Sequence, residues 1–171
     1  MFSMPIVDLL EEGRKLADAG RRVSVLWQHL DTLVFLARGR EYRSEFHINP
    51  SDETMQMIKG EMRLHYRTPE GREDVARIAE GSIIHTPAGT PHSPRFAPDA
   101  FALISERKRR DGEVDRFHWY CPKCDTRLPV SMSSRPRSSR LTIGMENIGD
   151  SLPVKKSLVP SMQRRRDDCN G

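Results

Sequence analysis

Two stretches punctuated by glycine and proline most constrain what this chain can fold into. The first, residues 39–60, contains His47 and Glu53, and the second, residues 81–92, ends on His92. Glycines in such segments supply the tight bends needed between short strands. Two imidazoles and one carboxylate can occupy three adjoining corners of an octahedral metal and leave the other positions open. The sequence therefore predicts a metal site with His47, Glu53 and His92 as ligands.

Between residues 23 and 120 the chain shows many short apolar runs separated by turn signals, which is typical of a sandwich or barrel. The predicted strands are 23–28, 32–37, 41–47, 54–58, 63–66, 75–78, 82–86, 101–106 and 116–120. An amphipathic helix is predicted before them, over residues 4–19, with Ser3 as its cap. The run 33–36 is apolar on both faces, so we expect cover on each side. A second subunit, and therefore a homodimer, is one source of that cover.

The predicted strand before the first histidine brings two charged residues toward the expected site. Period-two alternation over residues 41–47 places Arg43, Glu45 and His47 on one face. His47 must point inward to bind a metal, so Arg43 should point inward too. A buried arginine needs an anionic partner, and both Glu45 and the carboxylate of a bound ligand remain open as that partner. Glu106, on a later strand, is either a second inward charge or the exposed start of a basic run.

The paired stretches resemble the two motifs of the cupin superfamily. The matching residues are His47, Glu53 and Gly60 in the first stretch and Gly81, Pro87, Gly89 and His92 in the second. Gly39 lies further from His47 than the usual opening glycine, and Asn49 stands where many cupins carry another histidine. The resemblance implies an all-β fold, the double-stranded β-helix or jelly-roll barrel. It also implies a three-ligand Fe(II) site, the facial triad of non-haem oxygenases.

Within that superfamily, residues 24–126 are similar to the 3-hydroxyanthranilate 3,4-dioxygenase family. The similar features are Arg43 before the first histidine, Arg95 just beyond the second, Glu106 before a basic run, and a Trp-Tyr-Cys-x-x-Cys segment ending at Cys124. The resemblance implies an extradiol-type enzyme that uses Fe(II) and O2 to open the ring of 3-hydroxyanthranilate or a related ortho-aminophenol. It implies that Arg43 and Arg95 hold the substrate carboxylate. Glu106 would contact the neighbouring amino and phenolic groups and take part in catalysis.

Three departures from that family fall in segments expected to line the substrate pocket. Arg95 follows His92 by three residues, where the family spacing is four. Residues 22–25 replace a segment with an active-site asparagine, and residues 38–41 replace a glycine-rich one. These departures keep a second hypothesis open, a cupin that binds or senses a small molecule without turnover.

Cys121 and Cys124 form half of a four-cysteine metal knuckle. Bacterial members of the family supply the other half from a second Cys-x-x-Cys near the C-terminus, whereas this chain has only Cys169 there. This second metal site is therefore incomplete within one chain. We expect a cysteine pair without metal.

The excess positive charge is concentrated at the C-terminal end. Residues 1–128 hold 20 basic and 20 acidic side chains, while residues 129–171 hold eight and four. We predict a cupin dioxygenase-like domain over residues 1–128 and a disordered basic tail over 129–171, which is rich in Ser, Pro and Arg. The neutral domain argues against nucleic-acid binding.

No feature of the sequence indicates membrane insertion or export. There is no apolar run of about 18 residues, and the first residues lack a basic region followed by an apolar block. Three cysteines, an odd number, indicate a reducing compartment. We therefore expect a cytoplasmic protein.

Overall fold

Two antiparallel sheets and one helix make up the part of the chain that the computed structural model describes, residues 4–39 and 41–134. The elements are α1 Leu9–Asp18, β1 Val23–His29, β2 Thr32–Ala37, β3 Phe46–Ile48, β4 Glu53–Lys59, β5 Glu61–Arg67, β6 Glu73–Ala79, β7 Ile83–Thr86, β8 His92–Phe96, β9 Phe101–Arg107, β10 Asp115–Tyr120 and β11 Arg127–Ser134. One sheet has the order β1-β2-β9-β4-β7, and the other has the order β11-β10-β3-β8-β5-β6. The all-β prediction is confirmed. Within these residues, no helix has the length and apolar character needed to cross a membrane.

The two sheets face each other across an apolar core. The first sheet contributes Phe35, Met55, Met57, Ala102 and Ile104, and the second contributes Met62, Leu64, Ile78 and Phe96. In β4 the inward residues alternate with more exposed ones, as period two requires. Burying each Leu, Ile, Phe or Met side chain of this core stabilises the fold by roughly 1.5–3 kcal/mol. The same alternation carries Glu53, two residues before Met55, into the interior.

Gly60 forms the tight turn between β4 and β5. Its φ is +75°, a left-handed conformation that only glycine adopts at little cost. A Cβ at this position would also lie 2.8 Å from the Cβ of Ala100. Both the turn and the close approach therefore explain the glycine in the first motif.

Helix α1 covers the outer face of the five-stranded sheet. Its fully buried Leu16 packs against Leu36 and Phe101. The second face of the apolar run 33–36 is therefore covered by this chain itself. The predicted start of the helix near residue 4 is wrong, because Asp8 is the cap: its Oδ1 accepts hydrogen bonds from the amides of Leu10 and Glu11 at 2.9 and 3.0 Å. Ser3, the predicted cap, lies outside the described residues.

Each of the nine predicted strands overlaps an observed one, and the main differences lie around the site. β3 covers only Phe46–Ile48, so residues 41–45 are not part of the strand predicted over 41–47. β8 was not predicted because Pro91 and Pro94 are poor strand residues. In the structure Pro94 is nevertheless paired with Leu64 of β5.

The boundary predicted at residue 128 falls inside β11. Residues 129–134, predicted to belong to a disordered tail, form part of this strand instead and pair with β10 from Asp115↔Ser134 to Tyr120↔Arg127. Composition does not reveal such backbone pairing, which explains the error. The rest of the predicted tail lies outside the described residues. We propose a domain boundary after Ser134.

Two shortened chains test this boundary. We predict that a chain ending at Ser134 keeps the thermal transition of the full chain, because the residues removed have the composition of a disordered segment. A chain ending at residue 128 should melt roughly 5–10 °C lower, since β10 loses its outer partner. Equal melting temperatures for the two shortened chains, measured by circular dichroism, would show that β11 adds nothing to stability.

Candidate metal centre

Three buried side chains from both sheets meet at one place. His47 lies in β3 and His92 begins β8, and the pairing of these strands sets the two residues opposite each other. Glu53 begins β4 in the facing sheet and points into the interior with Met55. The exposed fractions of His47, Glu53 and His92 are 5%, 3% and 1%. The structure thus brings together the three residues predicted as metal ligands, called the triad below.

The donor atoms of the triad have a spacing that suits one metal ion. They all lie within 4.8 Å of one another, close to what bonds of about 2 Å require. Nε2 of His92 is 3.3 Å from Oε2 of Glu53. Nδ1 of His92 lies 2.9 Å from the backbone oxygen of Thr90, which can only accept a hydrogen bond. Nδ1 therefore carries the proton, and Nε2 is left to act as a ligand.

His47 is held by two residues of β10. Its ring stacks on Phe117 with the centroids 5.1 Å apart, and its Nε2 lies 2.7 Å from Oδ1 of Asp115. Burial lowers the pKa of His47 and so favours the neutral imidazole that binds metals. An ion that binds Nε2 would replace Asp115 as the partner of this nitrogen.

Asn49 connects the triad to a second buried carboxylate. Its Nδ2 donates to Oε2 of Glu106 at 2.5 Å and to Oε2 of Glu53 at 3.3 Å. Its Oδ1 accepts from both the amide and the hydroxyl of Ser51, at 2.8 and 2.9 Å. These bonds fix which end of the amide faces the carboxylates. The residue that stands in place of a cupin histidine therefore holds Glu106 beside Glu53.

The close approach of the two carboxylates separates their pKa values. Glu53 and Glu106 are paired across β4 and β9. Burial, followed by the negative charge of Glu53, raises the pKa of Glu106 to about 7. Burial also acts to raise the pKa of Glu53, but the hydrogen bond and charge of His92 and the charge of His47 outweigh it and lower that pKa. One carboxylate thus stays ionised while the other can exchange a proton near neutral pH.

The raised pKa of Glu106 gives a pH-dependent stability. Because it exceeds the ordinary value of 4.5, the folded state binds more protons than the unfolded state between about pH 4.5 and pH 7, so this group destabilises the fold as pH rises. We predict that Glu106→Gln melts higher than wild type above about pH 7 and that the difference shrinks toward about pH 5. The melting temperatures of wild type and Glu106→Gln are compared after chelator treatment, with the exposed Glu61→Gln as control. A pH-independent difference would contradict the assignment.

Arg43 pairs with Glu45, one of the two partners left open by the sequence. Nε of Arg43 lies 2.8 Å from Oε1 of Glu45, and the two side chains are 20% and 17% exposed. The alternation argument does not apply here because β3 begins only at Phe46. The backbone oxygen of Arg43 nevertheless accepts from the hydroxyl of Ser93 at 3.3 Å, which places this loop beside His92.

Arg95 lies on the face of β8 opposite to His92. The register of β8 with β5 is regular from His92 to Phe96, so side chains three residues apart point to opposite sides. Arg95 contacts the ring of Tyr42, with its guanidinium carbon 5.2 Å from the centroid. Phe96, four residues after His92, shares its face and is buried in the core. The structure therefore does not bring Arg95 to the triad.

Comparison with known proteins identifies the family. Residues 8–134 match the sequence profile described as 3-hydroxyanthranilic acid dioxygenase. The chain belongs to this family. It is 33% identical over 123 residues to a 3-hydroxyanthranilate 3,4-dioxygenase of Bacillus cereus, which covers 72% of this chain and 69% of the relative. A protein of the same name from Shewanella woodyi is 38% identical over 101 residues, covering 58% and 53% of the two chains.

A solved structure supports the fold of this dioxygenase family member. A cupin-2 domain containing protein from Shewanella frigidimarina superposes with a TM-score of 0.50 at 14% identity, covering 60% of this chain and 95% of that one. At this identity the likeness concerns the fold alone. It confirms the predicted cupin barrel.

Two residues beside the triad of this dioxygenase were missed by the sequence analysis. Asp115 contacts His47, and Arg109 forms ion pairs with Glu106 and Asp115. Arg109 belongs to the basic run that follows Glu106, and its side chain is only 14% exposed. A signal for Asp115 was present, because alternation along β10 puts it on the same face as Phe117.

The cysteine motif of this family member lies in the turn after β10. Backbone bonds from Cys121 to Thr126 and from Asp125 to Cys121, both 2.9 Å, close the turn. Sγ of Cys124 lies 3.5 Å from Oγ1 of Thr126. Cys169 lies outside the described residues, so the incomplete second metal site stays a prediction.

Proposed function

We propose that this protein is a mononuclear Fe(II) dioxygenase that opens the ring of 3-hydroxyanthranilate or a related ortho-aminophenol with O2. The observation that carries the proposal is the buried triad of His47, Glu53 and His92 with a proton-exchanging carboxylate, Glu106, beside it. The relatives named 3-hydroxyanthranilate 3,4-dioxygenase support the choice of substrate.

The donor set of the triad fits iron. Two imidazoles and one carboxylate are the ligands of non-haem Fe(II) oxygenases, and all three side chains are withdrawn from water. His47, Glu53 and His92 would hold the ion. Bound there, Fe(II) would supply the Lewis-acid and redox chemistry that O2 activation requires.

The residues around the triad would prepare the substrate. Glu106 would take up the phenolic proton on its carboxylate, because its pKa of about 7 suits proton transfer near neutral pH. Asn49 would keep that carboxylate in place through its 2.5 Å hydrogen bond. Arg43 would orient the substrate by pairing with its carboxylate group in exchange for Glu45. Phe117, stacked on His47, would help to exclude water.

Anaerobic loading with Fe(II), followed by O2 uptake in the presence of 3-hydroxyanthranilate or 2-aminophenol, tests the proposal. With isotopically labelled O2, both oxygen atoms should appear in the product by mass spectrometry, as expected of a dioxygenase. Uptake without labelled product would indicate uncoupled oxidation and contradict ring opening.

A second candidate is a cupin that binds an aromatic molecule without turnover. The position of Phe96, where the family spacing places an arginine, favours this alternative because it removes one cation from the pocket. Such a protein would bind the metal and the aromatic compound but consume no O2, so the same experiment separates the two functions.

A further inference from the structure

Arg109 connects the two flanks of the triad, which are Asp115 beside His47 and Glu106 beside Glu53. It lies in the loop after β9, and its Nε is 3.0 Å from each carboxylate oxygen of Asp115, while its Nη2 is 2.6 Å from Oδ1. Its Nη1 is also 3.3 Å from Oε1 of Glu106. Among the described residues, Arg109 is the one guanidinium paired with either of these carboxylates. A single cation thus holds a residue of β9 and a residue of β10.

The contact with Asp115 bears on the availability of His47. Oδ1 of Asp115 is 2.7 Å from Nε2 of His47, so a hydrogen bond to Asp115 competes with an ion for that nitrogen. The contacts from Arg109 give the same carboxylate a partner that does not depend on His47. Asp115 can therefore release the imidazole and still remain paired.

The contact with Glu106 bears on the other flank. Glu106 and Glu53 share the amide of Asn49. These two buried carboxylates and the partly buried Asp115 repel one another. The guanidinium, which contacts both carboxylate oxygens of Glu106 at 3.3 and 3.4 Å, offsets part of that repulsion. It thereby favours a position of Glu106 beside Asn49 that leaves Glu53 to the two histidines.

We propose that Arg109 is a positioning residue that keeps the triad available for metal, because it gives Asp115 a partner other than His47 and holds Glu106 against Asn49. The inference rests on the proposed function only in treating the triad as a metal site. A planar guanidinium can bridge two carboxylates, whereas the single ammonium of lysine cannot do so with the same geometry. The role therefore depends on the shape of arginine as well as on its charge.

The test compares Arg109→Lys with Arg107→Lys in the full chain. Arg107 is a matched control in the same segment, because it forms a bidentate pair with Glu113 at 2.7 and 2.8 Å and belongs to neither flank of the triad. Affinity for Co²⁺ alone is measured by chelator competition and by the visible spectrum of the bound ion, without substrate. We expect Arg109→Lys to bind Co²⁺ at least about tenfold more weakly than wild type. Arg107→Lys should stay within about twofold of wild type.

A rescue separates positioning from a general structural role. In the double variant Arg109→Lys with Asp115→Asn, the competing carboxylate is gone, so Co²⁺ affinity should return to within about threefold of wild type. Equal affinities of Arg109→Lys and Arg107→Lys, or no recovery in the double variant, would overturn the inference. If Arg109→Lys loses its thermal transition, Asp115→Asn alone decides the question, because weaker Co²⁺ binding by that variant would contradict the proposed competition. O2 uptake is not measured in this test. A wild type that binds Co²⁺ but consumes no O2 would contradict the proposed function and leave the comparison of Co²⁺ affinities valid.

Discussion

Alanine in place of His47, Glu53 or His92 should abolish O2 uptake by the Fe(II)-treated protein and lower its iron content. Each residue supplies one of three buried donor atoms within 4.8 Å of the others. Losing an outer partner of a metal ligand costs roughly 10–100-fold in affinity or activity, so losing a ligand should cost more. Iron per chain and O2 uptake with 3-hydroxyanthranilate are measured on the same samples.

Matched controls come from the same sheets. His85→Ala removes a histidine whose side chain is 58% exposed and whose nearest ionic partner is Asp52, and Glu61→Ala removes an exposed carboxylate at the start of β5. Both should keep iron content and O2 uptake. Thermal melts show whether each variant folds. Full activity in any folded triad variant would contradict the metal assignment.

The triad could be predicted because its residues belong to two local motifs. His47 and Glu53 are separated by one short loop, and the alternation of β4 alone carries Glu53 inward. The meeting of the motifs also depends on the loops after β3 and β7, where the amide of Gly89 donates to the backbone oxygen of Asn49 at 2.8 Å. The sequence does not predict that bond, but the family resemblance implies that the two motifs meet at one site.

The residues around the triad were harder to predict because their environment comes from distant segments. Arg109 stands in a run of charged residues, and only the fold shows that Asp115 and Glu106 bury it. Arg43 was placed by alternation in a strand that begins three residues later. For Arg95 the sequence was sufficient, because alternation from His92 already places it on the face of β8 opposite to the triad.

Arg43→Ala should raise the KM for 3-hydroxyanthranilate and leave the KM for 2-aminophenol nearly unchanged. The two compounds differ by the carboxylate that Arg43 would bind, and a lost charge-assisted hydrogen bond should cost about 1.5–3 kcal/mol, or roughly 10- to 150-fold in kcat/KM. Glu45→Gln should have the opposite effect. Glu45 lies 2.8 Å from Arg43 and competes for the guanidinium, so its neutral replacement should lower the KM for the carboxylate-bearing substrate.

Arg95→Ala is the control for this pair of variants. Its side chain lies on the outer face of β8 against Tyr42, so we expect its KM for 3-hydroxyanthranilate to stay within about twofold of wild type. Steady-state O2 uptake with both substrates gives all the required values. If wild type uses both compounds equally well and Arg43→Ala changes neither KM, Arg43 and Glu45 form a purely structural pair. The preferred substrate of this dioxygenase would then carry no carboxylate. That outcome would agree with Phe96 standing where the family spacing places a second arginine.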